Sequence, residues 1–306
     1  MVLDFDESTR GSIALGFAAS TAGCVALVLA CRAKYRDTST SFFISHALVN
    51  AVIVFNCFND LLTTLASPLT SLVRPYSLFP TVLQVSFHLA HIILDWRTLD
   101  RVDWAHHLLS SFVVGHLNLA YTYGPLLNYA IFFATGLPGG IDYALLAAVK
   151  LGRVDSLTEK RVNRALNGWV RMPGLVTWMA FALCIHSGGL LRTPMPPAVL
   201  GIQFVLVAGN GLFFSDRVVA NHAATLAKKQ TAADELSRNR GEKSRSVEPA
   251  LAQKVATAIR AMWLLVAFVL PFFGDALGHP GKGQLPSGSR LRAGYGAPST
   301  GRLVHA

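Results

Sequence analysis

Apolar segments about as long as a bilayer is thick recur along this 306-residue chain, and they constrain its fold more than any other feature. A hydrocarbon core is crossed by about 20 apolar residues in a helix, which satisfies its own backbone hydrogen bonds. A further segment, 261–274, is short and contains Pro271. We therefore predict an all-α, multi-pass transmembrane helical bundle with seven spans and a short eighth candidate. The seven spans are 12–31, 42–66, 78–96, 104–121, 125–149, 173–190 and 197–215.

The predicted organisation is one membrane domain followed by three C-terminal segments. Residues 1–222 form the seven-span domain, 223–256 a charged cytosolic segment, 257–278 the short eighth hydrophobic helix and 279–306 a disordered tail rich in Gly, Pro, Ser and Arg. Within the membrane domain, 156–170 is predicted to lie on the cytosolic interface as an amphipathic helix. Its sequence begins with a capping-box pattern, Ser to Glu three residues later.

Basic residues are distributed unequally between the connections, which predicts the topology. With the N-terminus outside, the inner connections hold 19 Lys and Arg residues and the outer ones 3. Cytosolic connections carry such an excess, so the N-terminus is predicted to be lumenal and 216–254 cytosolic. The same bias accounts for the net charge of +10. No basic motif interleaved with aromatic residues is present, so nucleic acid is not expected as a partner.

Two adjacent histidines lie just inside the fourth apolar segment. His106 and His107 follow Asp103 at helical spacing, so the three side chains share one side of a helix. An ionisable group at membrane depth is costly unless it is paired or hydrated, and such a group is a candidate functional site. We predict His106 as a general base, His107 as its partner and Asp103 as the orienting carboxylate.

The second and third apolar segments carry polar stripes of their own. His88, His91 and Asp95 share one face of the third segment, and His46 and Asn50 lie on one stripe of the second. Each stripe alone is typical of a hydrogen-bonded seam between helices. Three neighbouring stripes together favour an enclosed polar pocket, so these five residues are predicted to bind substrate.

A metal centre is the less favoured alternative for the histidines. Imidazole suits zinc or iron, but the HxxH and HH pairs match no closed structural zinc pattern. No metal is therefore assigned, and the sequence identifies no cofactor.

Residues 97–172 resemble the TLC-domain family, which includes the ceramide synthases and non-enzymatic lipid-handling relatives. The resemblance rests on Asp100 and Asp103 before the His106–His107 pair and on an apolar segment that carries Asp142 and ends at Lys150. It implies about seven spans, a lumenal N-terminus, an endoplasmic reticulum or other endomembrane location, and a substrate-binding role for Asp142. The ceramide synthases carry a His-Asp, Ser-Asp and Glu cluster where this chain has 136–142, which favours the lipid-sensing or trafficking relatives. Fatty-acid elongases have a His-x-x-His-His box that this chain lacks.

The sequence thus predicts a membrane protein that handles lipids and binds an acyl-chain or sphingolipid-type ligand in a histidine-lined pocket. Its expected partner is a membrane lipid or an acyl-CoA-type ligand, and whether it is an enzyme, such as an acyltransferase, is left open. Two other classes stay open as well. One is a proton-coupled transporter or channel that uses the His and Asp stripes, and the other is a structural membrane protein without a pocket.

Overall fold

The computed structural model describes residues 10–72, 74–121, 123–190, 195–240 and Thr257. Within these ranges the chain is helical and contains no strand. The predicted eighth hydrophobic helix, apart from Thr257, and the 279–306 tail lie outside the described residues. A short helical turn, Pro68–Ser71, connects the second and third long helices. The long helices are α1 (Arg10–Lys34), α2 (Thr38–Ala66), α3 (Phe79–Asp95), α4 (101–120), α5 (Pro125–Lys150), α6 (Ser156–Ser187) and α7 (Pro197–Arg240).

Five of these helices, α1, α2, α5, α6 and α7, are long and apolar enough to cross a membrane. The other two predicted spans correspond to α3 and α4. Helix α3 has only 17 residues. Helix α4 contains three histidines, two serines and an asparagine, which lower its mean hydropathy. The all-helical, multi-pass architecture is therefore confirmed at the level of five candidate spans, whereas seven spans are not.

Acidic residues begin three of the helices. Asp37 caps α2 and accepts a hydrogen bond from the Thr40 backbone N at 2.9 Å. Asp100 caps α4 through bonds from the Val102 and Asp103 backbone nitrogens, and Asp155 caps α6. A carboxylate there satisfies otherwise unpaired N–H groups and is favoured by the helix dipole. For α6 the cap differs from the predicted capping box, because Asp155 takes the position assigned to the following serine.

Three helices contain a π-helical stretch. In α4 it runs from Leu108 to Gly115, directly after the histidine pair; in α5 and α6 it covers Phe132–Gly136 and Asn167–Arg171. Such wide turns are rare and concentrate at functional sites. They rotate the side chains that follow, so faces read from a regular 3.6-residue period do not continue through them.

The glycine-rich 136–140 segment packs α5 closely against α2. A Cβ on Gly139 would lie 2.9 Å from the Asn50 amide nitrogen, and one on Gly140 would lie 3.3 Å from the Asn50 Cβ. The missing side chains let the two helices approach, and Pro138 lies shortly after the π-helical stretch. The segment therefore serves helix packing, and the helix does not unwind.

The prediction of a separate interfacial helix at 156–170 is wrong. Helix α6 continues through Asn167–Arg171 into the apolar Met172–Ser187 segment as one 32-residue helix. A polar stripe of this part of the helix is buried, with Glu159 at 1% exposure and Asn163 at 5%, and Asn163 donates to Asp142 of α5. On the basic side of the same pattern Arg164 is exposed.

The last span and the charged segment form one helix. Helix α7 runs without a break through residue 222, where the domain boundary was predicted, and is helical to Arg240. Its C-terminal half packs against the first part of α6, where Lys229 and Asp155 form an ion pair. Residues 223–238 are mostly exposed.

Candidate functional site

Imidazoles from α3 and α4 converge into one cluster. One nitrogen from each of His88, His106 and His107 lies within 4.8 Å of the others. The ring centroids are 5.1 Å apart for His88 and His107, 5.3 Å for His88 and His106, and 5.6 Å for His106 and His107. Helices α3 and α4 therefore meet at these histidines, of which only His106 is among the residues that line the cavity described below. We call His88, His106 and His107 the histidine triad.

Two further imidazoles extend the cluster into the bundle. His91 stacks on His107 with centroids 6.0 Å apart, and His46 of α2 stacks on His91 at 4.5 Å. Both are buried, at 0% exposure for His91 and 8% for His46. Aromatic rings close this end, with Phe42 4.0 Å and Tyr143 4.2 Å from the His46 ring. All five histidines predicted from the three stripes thus form one continuous row.

Hydrogen bonds fix the orientation of three of these rings. His88 donates from Nδ1 to the Gln84 carbonyl at 2.8 Å, and His46 donates from Nδ1 to the Phe42 carbonyl at 2.9 Å. Each bond joins residues four apart on one helix. His106 Nδ1 lies 3.2 Å from the Asn210 Oδ1 of α7 and donates to it. Because Nδ1 holds the proton in these rings, the Nε2 lone pair is available.

His107 is different, because its buried Nδ1 has no hydrogen-bond partner among the described residues. A buried polar nitrogen without a partner costs roughly 1–3 kcal/mol. Native proteins rarely keep such a group unless a water, an ion or a ligand satisfies it.

The two acidic residues near the row have structural contacts. Asp95 accepts from Arg32 of α1 at 2.5 Å and contacts His91 Nδ1 at 3.4 Å, so it links α1 to the row. Asp103 is exposed and accepts from the Asp100 backbone nitrogen at 3.4 Å, completing the cap of α4. It makes no described hydrogen bond to His106 or His107, so its orienting role stays a prediction.

Asn50 and Asp142, the other predicted substrate residues, lie in different surroundings. Asn50 packs against Gly139 and accepts a 3.4 Å bond from Thr135. Asp142 accepts from Asn163 of α6 at 2.6 Å. Asn163 in turn contacts Glu159 and Asn167, and Arg171 donates to Asn167 at 2.5 Å. Asp142 therefore belongs to a polar network between α5 and α6, and substrate binding by either residue stays a prediction.

A cavity of about 460 Å³ lies beside the histidine triad. That volume is in the range of pockets that hold small molecules. Most of its walls are apolar and come from α4, α5, α6 and α7, including Leu109, Ile131, Leu175 and Phe214. Its polar residues are Gln84, Arg101, His106, Ser110, Asn118 and Asn210. The cavity therefore offers an apolar space with a few polar groups.

The polar groups are concentrated towards the start of α4. His106 and Asn210 contact each other, and Arg101 lies about 7.5 Å below His106 along the helix axis at 1.5 Å per residue. Asn118, further along α4, accepts a hydrogen bond from Gln203 of α7, a residue with 0% exposure. Arg101, His106 and Asn210 thus define one end of the cavity.

Asn210 is a site residue that the sequence did not identify as such. It lies between two glycines in the apolar part of α7, 104 residues from the histidine that it orients. An amide within an apolar span was the available signal. Arg171 directly follows the predicted interfacial helix in sequence, and its guanidinium lies within electrostatic range of His106 and Asp142.

Comparisons of the chain with protein-family models, with curated proteins and with solved structures found no match.

Proposed function

We propose that this protein binds an amphipathic membrane lipid or acyl-CoA-type ligand in the cavity beside the histidine triad. The observation that carries the proposal is the cavity itself, which is apolar along its walls and polar at the end formed by Arg101, His106 and Asn210. Such pockets bind the apolar part of an amphipathic ligand along their apolar walls, and a few polar groups bind its headgroup.

Arg101 suggests the chemistry of the headgroup. Its side chain lines the cavity at the first turn of α4. A guanidinium binds carboxylate or phosphate through two parallel hydrogen bonds. The position of Arg101 on the cavity wall therefore supports an acidic headgroup at this end.

Lipid that copurifies with the protein tests the proposal. Ala134 lines the cavity on α5, so Ala134→Phe should fill it and lower the lipid retained after detergent purification by at least about tenfold, a loss of about 1.4 kcal/mol. Ala30→Phe makes the same change on the exposed face of α1 and serves as the matched control. Arg101→Gln should reduce acidic lipids selectively. Mass spectrometry quantifies all three, and unchanged lipid in Ala134→Phe at normal stability would refute the proposal.

Acyl transfer is the enzymatic form of this function, and it rests on the TLC-family resemblance. His106 would act as general base, and a positioned base contributes about 10²–10⁴-fold to rate. A His106→Ala/His107→Ala double variant that folds should therefore lose turnover of an acyl-CoA-type donor. Retained lipid binding with no turnover in either protein would favour a carrier or sensor.

Proton-coupled transport is the second candidate, because the imidazole row leads from the buried His46 to His106 at the cavity and contacts the Asp95–Arg32 ion pair through His91. Neighbouring ring centroids from His46 to His107 are 4.5–6.0 Å apart. Such rows can relay protons in membrane proteins. If the protein is a proton-coupled transporter, liposomes that contain it should show pH-dependent flux, and His91→Phe should abolish that flux. Absence of flux with the wild type would exclude this function.

For either function we propose seven spans, in which α3 and α4 cross the membrane beside the five more apolar helices, and an N-terminus in the lumen of the endoplasmic reticulum or another endomembrane. The support is the unequal distribution of basic residues between the connections, 19 on the inner side and 3 on the outer side.

A further inference from the structure

We propose that the histidine triad binds a divalent cation of the zinc class. The three imidazoles offer nitrogen ligands from two neighbouring helices, and these nitrogens lie within 4.8 Å of one another. Zinc–nitrogen distances of about 2.0–2.1 Å place two ligands at most about 4 Å apart, so small side-chain rotations close the site. Sites with three protein ligands leave a fourth position for water or substrate.

The hydrogen bonds around the triad favour metal binding. His88 and His106 each donate from Nδ1, to the Gln84 carbonyl and to Asn210 respectively. Metal-binding histidines almost always donate their second ring N–H in this way, which fixes the tautomer and the ring orientation. Both Nε2 lone pairs are then available to a cation.

His107 supplies an independent observation. It is buried at 5% exposure, and its Nδ1 has no hydrogen-bond partner in the described part of the chain. A cation at the triad would hold the ring of this third histidine in place.

The ligand type selects the class of metal. Three imidazoles suit zinc, copper, iron or nickel, whereas magnesium and calcium take oxygen ligands. A site with three imidazole ligands leaves its fourth position to a water or to an oxygen of a bound ligand.

The proposal links the metal to the cavity through His106, which belongs to both the triad and the cavity wall. A metal-bound His106 cannot accept a proton at the same nitrogen. The general-base role predicted from the sequence and the metal role proposed here are therefore mutually exclusive, and the sequence assigned no metal.

Zinc binding to the full-length protein tests the proposal. The protein is purified in detergent with a histidine-free tag, stripped with EDTA and titrated with Zn²⁺, with bound metal measured by mass spectrometry. Co²⁺ added to the stripped protein should give the visible absorption bands of a nitrogen-ligated site. The wild type is expected to bind one equivalent, and His88→Ala or His107→Ala should lose it.

Two further variants keep the test independent of folding. His116→Ala removes an exposed histidine of α4 outside the triad and should bind zinc as the wild type does. Asn210→Leu keeps all three ligands but removes the partner of His106, and it should weaken zinc binding about 10–100-fold. Thermal unfolding checks each protein.

Absence of stoichiometric zinc in the wild type would overturn the proposal, and so would folded triad variants that bind zinc as tightly. The metal site does not depend on the lipid proposal. Lipid retained by a protein that binds no zinc would refute the metal site alone. Zinc bound by a protein that retains no lipid would refute the lipid proposal alone.

Discussion

Helices α5 and α6 are in contact where Gly174 faces Phe133. We expect that adding a single methyl group there, by Gly174→Ala, lowers the stability of the fold. A Cβ built on Gly174 would overlap the Cγ and Cδ1 atoms of Phe133 and lie 2.7 Å from its Cβ. The ring cannot easily move, because it is 6% exposed and packs against Tyr129 and Phe132 at centroid distances of 4.9 and 5.1 Å. Overpacking of this kind costs about 1–3 kcal/mol, so Gly174→Ala should lower the free energy of unfolding by that amount.

The same helix provides a matched control. Gly168 is exposed, and a Cβ there meets nothing within 4 Å. Alanine is preferred to glycine inside a helix by roughly 0.5–1 kcal/mol, so Gly168→Ala should be neutral or stabilising. Identical substitutions six residues apart in α6 are thus expected to have opposite effects.

Thermal unfolding of the detergent-purified variants at one scan rate measures the difference. A double-mutant cycle with Phe133→Leu should show strong coupling to Gly174→Ala, because the smaller side chain relieves the overlap. Equal stability of Gly174→Ala and Gly168→Ala, or additive effects in the cycle, would refute the proposed helix contact.

Two further predictions concern the part of the protein outside the bundle. In intact microsomes a cysteine at Ala233 of α7 should react with a membrane-impermeant reagent from the cytosolic side and one at Arg74 should not; the reverse pattern would contradict the topology. The hydrogen bond from Lys229 lowers the pKa of Asp155, so this pair stabilises the fold above the ordinary carboxyl pKa and the effect disappears as pH falls through the lowered value. Lys229→Gln should therefore lower the free energy of unfolding by no more than about 1 kcal/mol near neutral pH, because the pair is exposed, and by less in high salt or acid. If the variant is still less stable than the wild type in acid, the loss has another cause.

Apolar length and charge asymmetry were sufficient to predict an all-helical membrane architecture from the sequence. Both follow from local properties, the hydropathy of a segment and the basic residues at its ends. The sequence also indicated that the histidines lie close together, because imidazoles in neighbouring apolar helices need polar partners or water.

Periodicity could not reveal what each polar face contacts. The 156–170 pattern fits a lipid interface as well as a protein interface, and the choice depended on Asp142 of α5 lying opposite Asn163. Asp103 shares a helix side with the histidines, yet it completes the cap of α4, because a carboxylate in the first turn has nearby N–H groups to accept from.

Long-range contacts decided the rest of the site. Asn210 reaches His106 across 104 residues, and the π-helical turn after His107 shifts the face that follows, so neither is visible in local sequence. The helical, multi-pass character of the described part of the chain was thus determined by sequence. Which imidazoles converge, and which buried ring nitrogens lack a partner, was determined by tertiary packing alone, because these depend on how separate helices are rotated against one another.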